Sequence, residues 1–341
     1  LKLTTEEQKL LTKRFTENPD AYQAYLKGRY YWSRRATPAL EESIKYFEEA
    51  LQHDPEDALA YAGLADAYVG LAARYDSDER SQSDAFPKAK AAALRALKLN
   101  ELLAEAHTSL AVVRERYEWD WAGAESEYRR AIELNPNYAH AHQLYSLFLS
   151  TMGRAAEAMS EMKRAQELDP LSFPINRGIG DILWREHQYD QALEQYRRTL
   201  RMAPDDPMAP LLHRTVGWVY EFQGMRDKAV TEFIEALSIQ KTEPERLEAL
   251  RGAYGAAGMK GYWRKWLELQ QERIRQGRIS PFNIAQVYSY LGDKDQAFVY
   301  LQKACDDHSV SLPALRFDPL FDNLRDDPRY SALMRRIGLN L

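Results

Sequence analysis

One cysteine, Cys305, stands in 341 residues, which excludes an internal disulfide framework and a multi-cysteine metal site. Positive charge is not in excess either. Lysines and arginines number 46 against 51 aspartates and glutamates, a formal net charge of −5, whereas general nucleic-acid affinity needs a basic footprint. No apolar run approaches the ~18–20 residues of a membrane span, and no signal peptide opens the chain, so membrane insertion by this segment is not expected. Catalytic signatures are missing as well. There is no HExxH, no phosphate loop of the GxxxxGK type and no serine in a nucleophile elbow. Arg177-Gly178-Ile179-Gly180 lacks the third glycine of a dinucleotide loop and has no strand before it. No enzymatic activity, metal or cofactor is therefore expected here. The chain begins at Leu1 and not at methionine, and reads as a piece of a longer protein.

What the sequence does contain is a repeated register. Ala124, Tyr128, Ala131 and Pro136 recur 34 residues later as Ala158, Met162, Ala165 and Pro170, and again as Ala192, Tyr196, Thr199 and Pro204. The first three residues of each set fall at i, i+4 and i+7, on one face of an α-helix, and the proline marks where that helix stops. Small residues at the first and third places admit a neighbouring helix, and the larger one between them fills the gap. This is the second half of the tetratricopeptide pattern, and the chain resembles that repeat family. The resemblance implies an all-α fold, a right-handed α-α superhelix of about eight helix pairs.

Residues 1–20, with Leu3, Leu10, Leu11 and Phe15 among charges, read as a lead-in helix; the array proper spans 21–311. Thr37-Pro38 opens the second helix of repeat one, after a turn three residues longer than the pattern. The polar stretch Arg74–Asp84 reads as a long surface loop, with Pro87 where a new helix would begin. Repeat three carries a one-residue insertion containing Trp119-Asp120-Trp121. Repeat seven is the poorest match, with glycines at 252, 255, 258 and 261. Residues 312–341 leave the pattern but keep Leu315, Phe317, Leu320, Phe321 and Leu324, as a capping segment would.

Histidines invite a metal or catalytic role, which the register removes. His107, His142 and His213 fall on the fourth position of their repeats and read as packing residues, and His187 replaces a turn glycine. His140 and His142, two apart, face different sides of a helix.

The family places its binding surface on the concave side, mainly on the first helix of each repeat. Its inward positions fall on Tyr22, Tyr25, Arg29 and Trp32 in repeat one, and on Arg177, Asp181, Trp184 and Arg185 in repeat five. In repeat six they fall on Arg214, Trp218, Glu221 and Phe222. Arginine and tryptophan thus gather at repeats five and six, the residue types most enriched in binding hot spots. The expected ligand groove is Arg177, Trp184, Arg185, Arg214 and Trp218, with Tyr22, Tyr25 and Arg29. Arginine forks suit carboxylates, so the expected partner is a protein or an extended acidic or aromatic peptide. The alternative is a passive scaffold or oligomerisation arm; the oligomeric state is left open.

Three stretches look like a narrower group: Asn18–Trp32, Tyr117–Pro136 and Ser280–Leu339. They resemble the C-terminal tetratricopeptide regions of bacterial signalling proteins. Those regions follow a winged-helix DNA-binding domain of the CadC or ToxR type, a serine/threonine kinase or an adenylate cyclase. The resemblance implies an interaction or sensory module beside an output domain, extracytoplasmic if a membrane helix precedes it and cytoplasmic otherwise.

Overall fold

The i, i+4, i+7 spacing of small and large apolar residues dictates helices that pair, and every regular element among the described residues is helical. The structure, a computed structural model, describes residues 16–72 and 79–339, the side chains of 79–83 excepted. The first part of the expected lead-in helix, residues 1–15, lies outside them. Asn18 then caps the first helix with its side-chain oxygen, accepting from the amides of Asp20 and Ala21.

The pairs follow one another along the chain. They are α1 (Pro19–Ser33) with α2 (Thr37–His53), α3 (Ala58–Ala72) with α4 (Glu79–Leu99), and α5 (Ala104–Val113) with α6 (Trp121–Leu134). Next come α7 (Ala139–Thr151) with α8 (Ala155–Leu168), α9 (Phe173–Arg185) with α10 (Tyr189–Met202), and α11 (Ala209–Phe222) with α12 (Arg226–Ile239). The seventh pair is the continuous stretch α13 (Pro244–Arg275), broken at Ala257 and at Gly258, whose φ of 62° and ψ of −157° only glycine adopts readily. The eighth is α14 (Pro281–Leu291) with α15 (Lys294–Asp306). Two 3-10 turns, Leu312–Arg316 and Pro319–Leu324, and α16 (Pro328–Arg336) complete the described chain.

The register that predicts the pairs is also what packs them. All nine helical members, from Ala124, Tyr128 and Ala131 to Ala192, Tyr196 and Thr199, are fully buried. The helices that carry them end at Leu134, Leu168 and Met202, two residues before each proline, because proline restricts the residue ahead of it to extended backbone. Phe47 shows the other half of the device. A Cβ at Gly28 or Gly63 would lie 2.6 or 2.4 Å from its ring, so α1 and α3 close on it only because both positions lack a side chain. Ala165 is fully buried in the same kind of helix contact. Ala165→Leu is expected to lower stability by about 1–3 kcal/mol through overpacking, measured as a fall in urea midpoint with helix content preserved.

The fourth-position histidines do pack, and they also pair. Nδ1 of His107 meets Glu127 at 2.6 Å, that of His142 meets Glu161 at 2.5 Å, and that of His213 meets Glu232 at 2.6 Å. Each bond ties the first helix of a pair to the second. His187 takes the left-handed conformation, φ 58°, that Gly292 takes at φ 88° in the corresponding turn.

Two local expectations are corrected. The Arg74–Asp84 loop is shorter than expected: residues 74–78 lie outside the described residues, but α4 already begins at Glu79 and runs through Pro87. Ala85, Phe86 and Ala89 are buried in the core around it, and that burial outweighs the missing amide of the proline. The insertion of repeat three is absorbed before Trp119, not at it. Arg114–Glu118 form a π-turn, which takes up one residue, and Trp119 ends it at φ 53°.

The array curls until its ends meet its middle. Leu301 and Ala304 of α15 pack with Leu315, Phe321 and Leu324 of the capping segment. The same segment reaches back to repeats three and four. Trp121 Nε1 donates to the Ile337 carbonyl at 2.8 Å and Arg316 donates to the Thr151 carbonyl at 3.3 Å; just ahead of the segment, His308 stacks on the Trp119 ring at 4.5 Å. At the other end Trp32 of α1 meets His140 of α7 edge-on at 5.4 Å. The concave side is thereby enclosed.

Candidate functional site

Enclosure turns the groove into a cavity of about 510 Å3, within the range of ligand sites. In seven of the eight pairs the first helix faces it, because the second helices use their small residues to pack between neighbours. Side chains at helical spacing on those first helices therefore converge on one space.

The wall is basic although the chain is acidic. Seven arginines line it: Arg35, Arg116, Arg177, Arg185, Arg214, Arg273 and Arg278. Against them stand three carboxylates, Asp66, Glu115 and Asp181, and no lysine. The carboxylates have partners of their own. Asp66 accepts from Arg29 Nη1 at 2.9 Å and from the Ser109 hydroxyl. Glu115 accepts from the Tyr128 hydroxyl at 2.7 Å, and Asp181 accepts from the Tyr196 hydroxyl at 2.8 Å and meets Arg177 at 3.2 Å. Burial raises the carboxyls of Asp66 and Glu115 above their ordinary range, and it lowers the Arg35 guanidinium in the same wall. His140 adds no cation: burial, then Arg35 nearby, pushes it down to about 3.

Four of the eight residues expected in the groove come together in this wall: Arg177, Arg185, Arg214 and Trp218. Arg185 also holds the capping segment. It donates to the Ser150 hydroxyl at 2.6 Å and lies 3.6 Å from the centre of the Phe317 ring. Trp218 is 5% exposed and stacks on Trp263 at 4.8 Å, so it presents an edge more than a face. The other four stand outside the wall. Trp184 packs into the core between repeats five and six. Tyr22 is about half exposed on α1. Tyr25 packs 5.8 Å from Phe47, where burial pushes its phenol up to about 12. Arg29 spans Asp66 and the Trp32 ring, one layer behind the cavity.

The register could not reach Arg35, Arg116, Arg273 or Arg278. Arg35 sits in the lengthened turn of repeat one, Arg116 in the π-turn, and the last two in or just after the irregular repeat seven. Among the described residues no group of three His, Cys, Asp or Glu could hold a metal ion, and no helix is long and apolar enough to cross a membrane.

Comparison with known proteins agrees with the repeat and the fold. Family models described as tetratricopeptide repeat match residues 172–242, and residues 139–170 and 282–306. Protein O-mannosyl-transferase Tmtc1 of Drosophila melanogaster is 32% identical over 37% of this chain and 15% of its own length. Tetratricopeptide repeat protein 13 of Homo sapiens is 27% identical over 38% of this chain and 14% of its own. The chain thus spans about a seventh of these relatives. Among solved structures, an IFIT1 monomeric mutant with Gppp-AAAA superposes with a TM-score of 0.56 at 15% identity, over 87% of this chain and 74% of that one. The APC/C Cut9–Hcn1 assembly gives 0.50 at 14% identity, over 66% and 45%. At these identities the likeness is one of fold.

Proposed function

We propose that this tetratricopeptide-repeat array is an interaction module that takes an acidic segment of a partner protein into its closed groove. One observation carries the reading: seven arginines face three carboxylates in the cavity wall of a chain whose net charge is −5. Such segregation of charge is what recognition of carboxylates requires, since guanidinium forks pair with them in two-pronged fashion. The resemblance of Asn18–Trp32, Tyr117–Pro136 and Ser280–Leu339 to the C-terminal regions of bacterial signalling proteins supports placing the module beside an output domain. Occupancy of the groove then sets the activity of that domain.

A dye-labelled peptide of glutamates is the direct probe. Fluorescence anisotropy should show binding to the native chain that weakens steeply with salt. Arg177→Glu with Arg214→Glu should reduce capture more than tenfold while circular dichroism and Tm stay near the parent's. Normal capture by that double variant places the acidic segment elsewhere and sinks the reading. A second reading, an oligomerisation arm, is favoured by Tyr22, Leu26 and Tyr30, spaced by four on α1 and each about half exposed. Concentration-dependent sedimentation abolished by Tyr30→Lys would favour it.

A further inference from the structure

In each of the other seven pairs the first helix supplies groove wall, but in the seventh it does not. No residue of 244–257 reaches the cavity; the wall there is made instead by second helices, α12 and the latter half of α13. The sequence gives the cause. Only Leu247 and Leu250 are buried in that first half, and a Cβ added at Gly252 or Gly255 would meet nothing within 4 Å. Those two glycines are therefore not there for close helix contact, whereas a Cβ at Gly261 would lie 2.3 Å from the Ala253 carbonyl oxygen, so the two halves of α13 approach closely there. The first half packs behind the wall instead, through Leu247, Leu250 and the Tyr254 hydroxyl, which donates to Asp227 of α12, and the break at Gly258 separates it from the half that lines the cavity.

Where that helix is missing from the wall, one side lobe of the cavity is aromatic. Trp218, Phe233, Tyr262, Trp263 and Trp266 line it with Leu237. Trp218 and Trp263 are stacked within 6° of parallel, and Trp266 stands edge-on to Trp263 at 5.9 Å and is half-buried. Trp263 Nε1 is buried without an acceptor among the described residues. Arg214, Arg273 and Arg278 lie on the same cavity wall.

We infer that this lobe is the anchor pocket of the groove, taking one aromatic side chain that is flanked by carboxylates on an extended segment. The inference rests on the acidic-segment reading and adds its specificity. An aromatic ring fills the lobe between Trp266 and Leu237, and the neighbouring carboxylates reach the arginines. The flat wall suits a ring more than a branched aliphatic chain, because offset stacking adds to area burial.

Two dye-labelled, end-blocked heptapeptides test it on the full chain: Glu-Glu-Glu-Phe-Glu-Glu-Glu and its counterpart with alanine at the centre. The phenylalanine peptide should bind roughly tenfold to a hundredfold more tightly, the return expected for burying that side chain. Trp266→Ala should shrink the difference to below about threefold while leaving the alanine peptide's affinity unchanged. Leu237→Trp, which fills the lobe from α12, should do the same and covers the case in which the first variant fails to fold. Equal binding of both peptides by the native chain overturns the anchor pocket and leaves the acidic-segment reading standing. Binding of neither peptide overturns both.

Discussion

A chain shortened to end at Ser311 is expected to lose its monomeric state and its cooperative melt. Removal of 312–341 takes away Leu312, Leu315, Phe321, Leu324, Tyr330 and Met334, each fully buried. It also bares Leu301, Ala304 and Cys305 on α15, which are fully buried in the intact chain. Full burial of each large side chain stabilises by about 1.5–3 kcal/mol, so six of them together rival the ~5–15 kcal/mol margin of a folded domain. The bared face is also flat, apolar and helical, which makes self-association the easiest way to cover it. Light scattering after gel filtration should show larger species, and Tm should fall by more than ten degrees or become undefined. Capture of acidic peptide should fall as well, because Phe317 no longer holds Arg185. A shortened chain that remained monomeric and melted like the parent would show that the segment is not a cap.

Phe47→Ala is expected to cost about 3–5 kcal/mol, the range for a large aromatic removed from a core that cannot collapse. Most such cavities shrink because neighbouring side chains swing in. Here the two nearest positions, Gly28 and Gly63, have no side chain to move, and Tyr25 is held 5.8 Å away by its own packing. The space left behind stays open. Phe47→Leu should recover a good part of the loss, and Leu94→Ala, at a site 46% exposed, should stay within about 0.5 kcal/mol. Urea unfolding followed at the far-ultraviolet helix signal measures all three. A Phe47→Ala midpoint close to that of Leu94→Ala would mean that α1 and α3 close without the ring.

The difference between what could be read from residues and what could not follows from range. Ala124, Tyr128 and Ala131 announce their helix and its partner because both lie within one repeat, where 3.6-residue periodicity decides the outcome. The start of α4 escaped the same reasoning. Pro87 is a helix-starting signal by local rules, and only the burial of Phe86 among side chains of other helices explains a helix that passes through it. The groove divides in the same way. Arg177 and Arg214 sit at regular inward positions and could be placed by spacing. Arg116 and Arg278 reach the same cavity through a π-turn and through an irregular repeat, neither of which keeps register. Trp184 holds an inward position by count, yet it packs against the core side chains between repeats five and six. The approach of the capping segment to Trp121 depends on the summed curvature of the pairs between them, a quantity no single repeat encodes.

That approach bears on how such a chain can change over time. An open array lengthens freely, since a duplicated repeat meets only its two neighbours. A spiral that must bring Ile337 back to Trp121, across 216 residues of chain, has no such freedom. One added or deleted pair would rotate the capping segment past its seat and leave Thr151 and Phe317 without their arginines. Variation is then confined to changes that keep the number of pairs: a lengthened turn such as 34–36, a π-turn that hides one extra residue, a break within a pair such as that at Gly258. In a lineage of such chains, repeat number should be the most constant feature and the seventh pair the most variable in sequence.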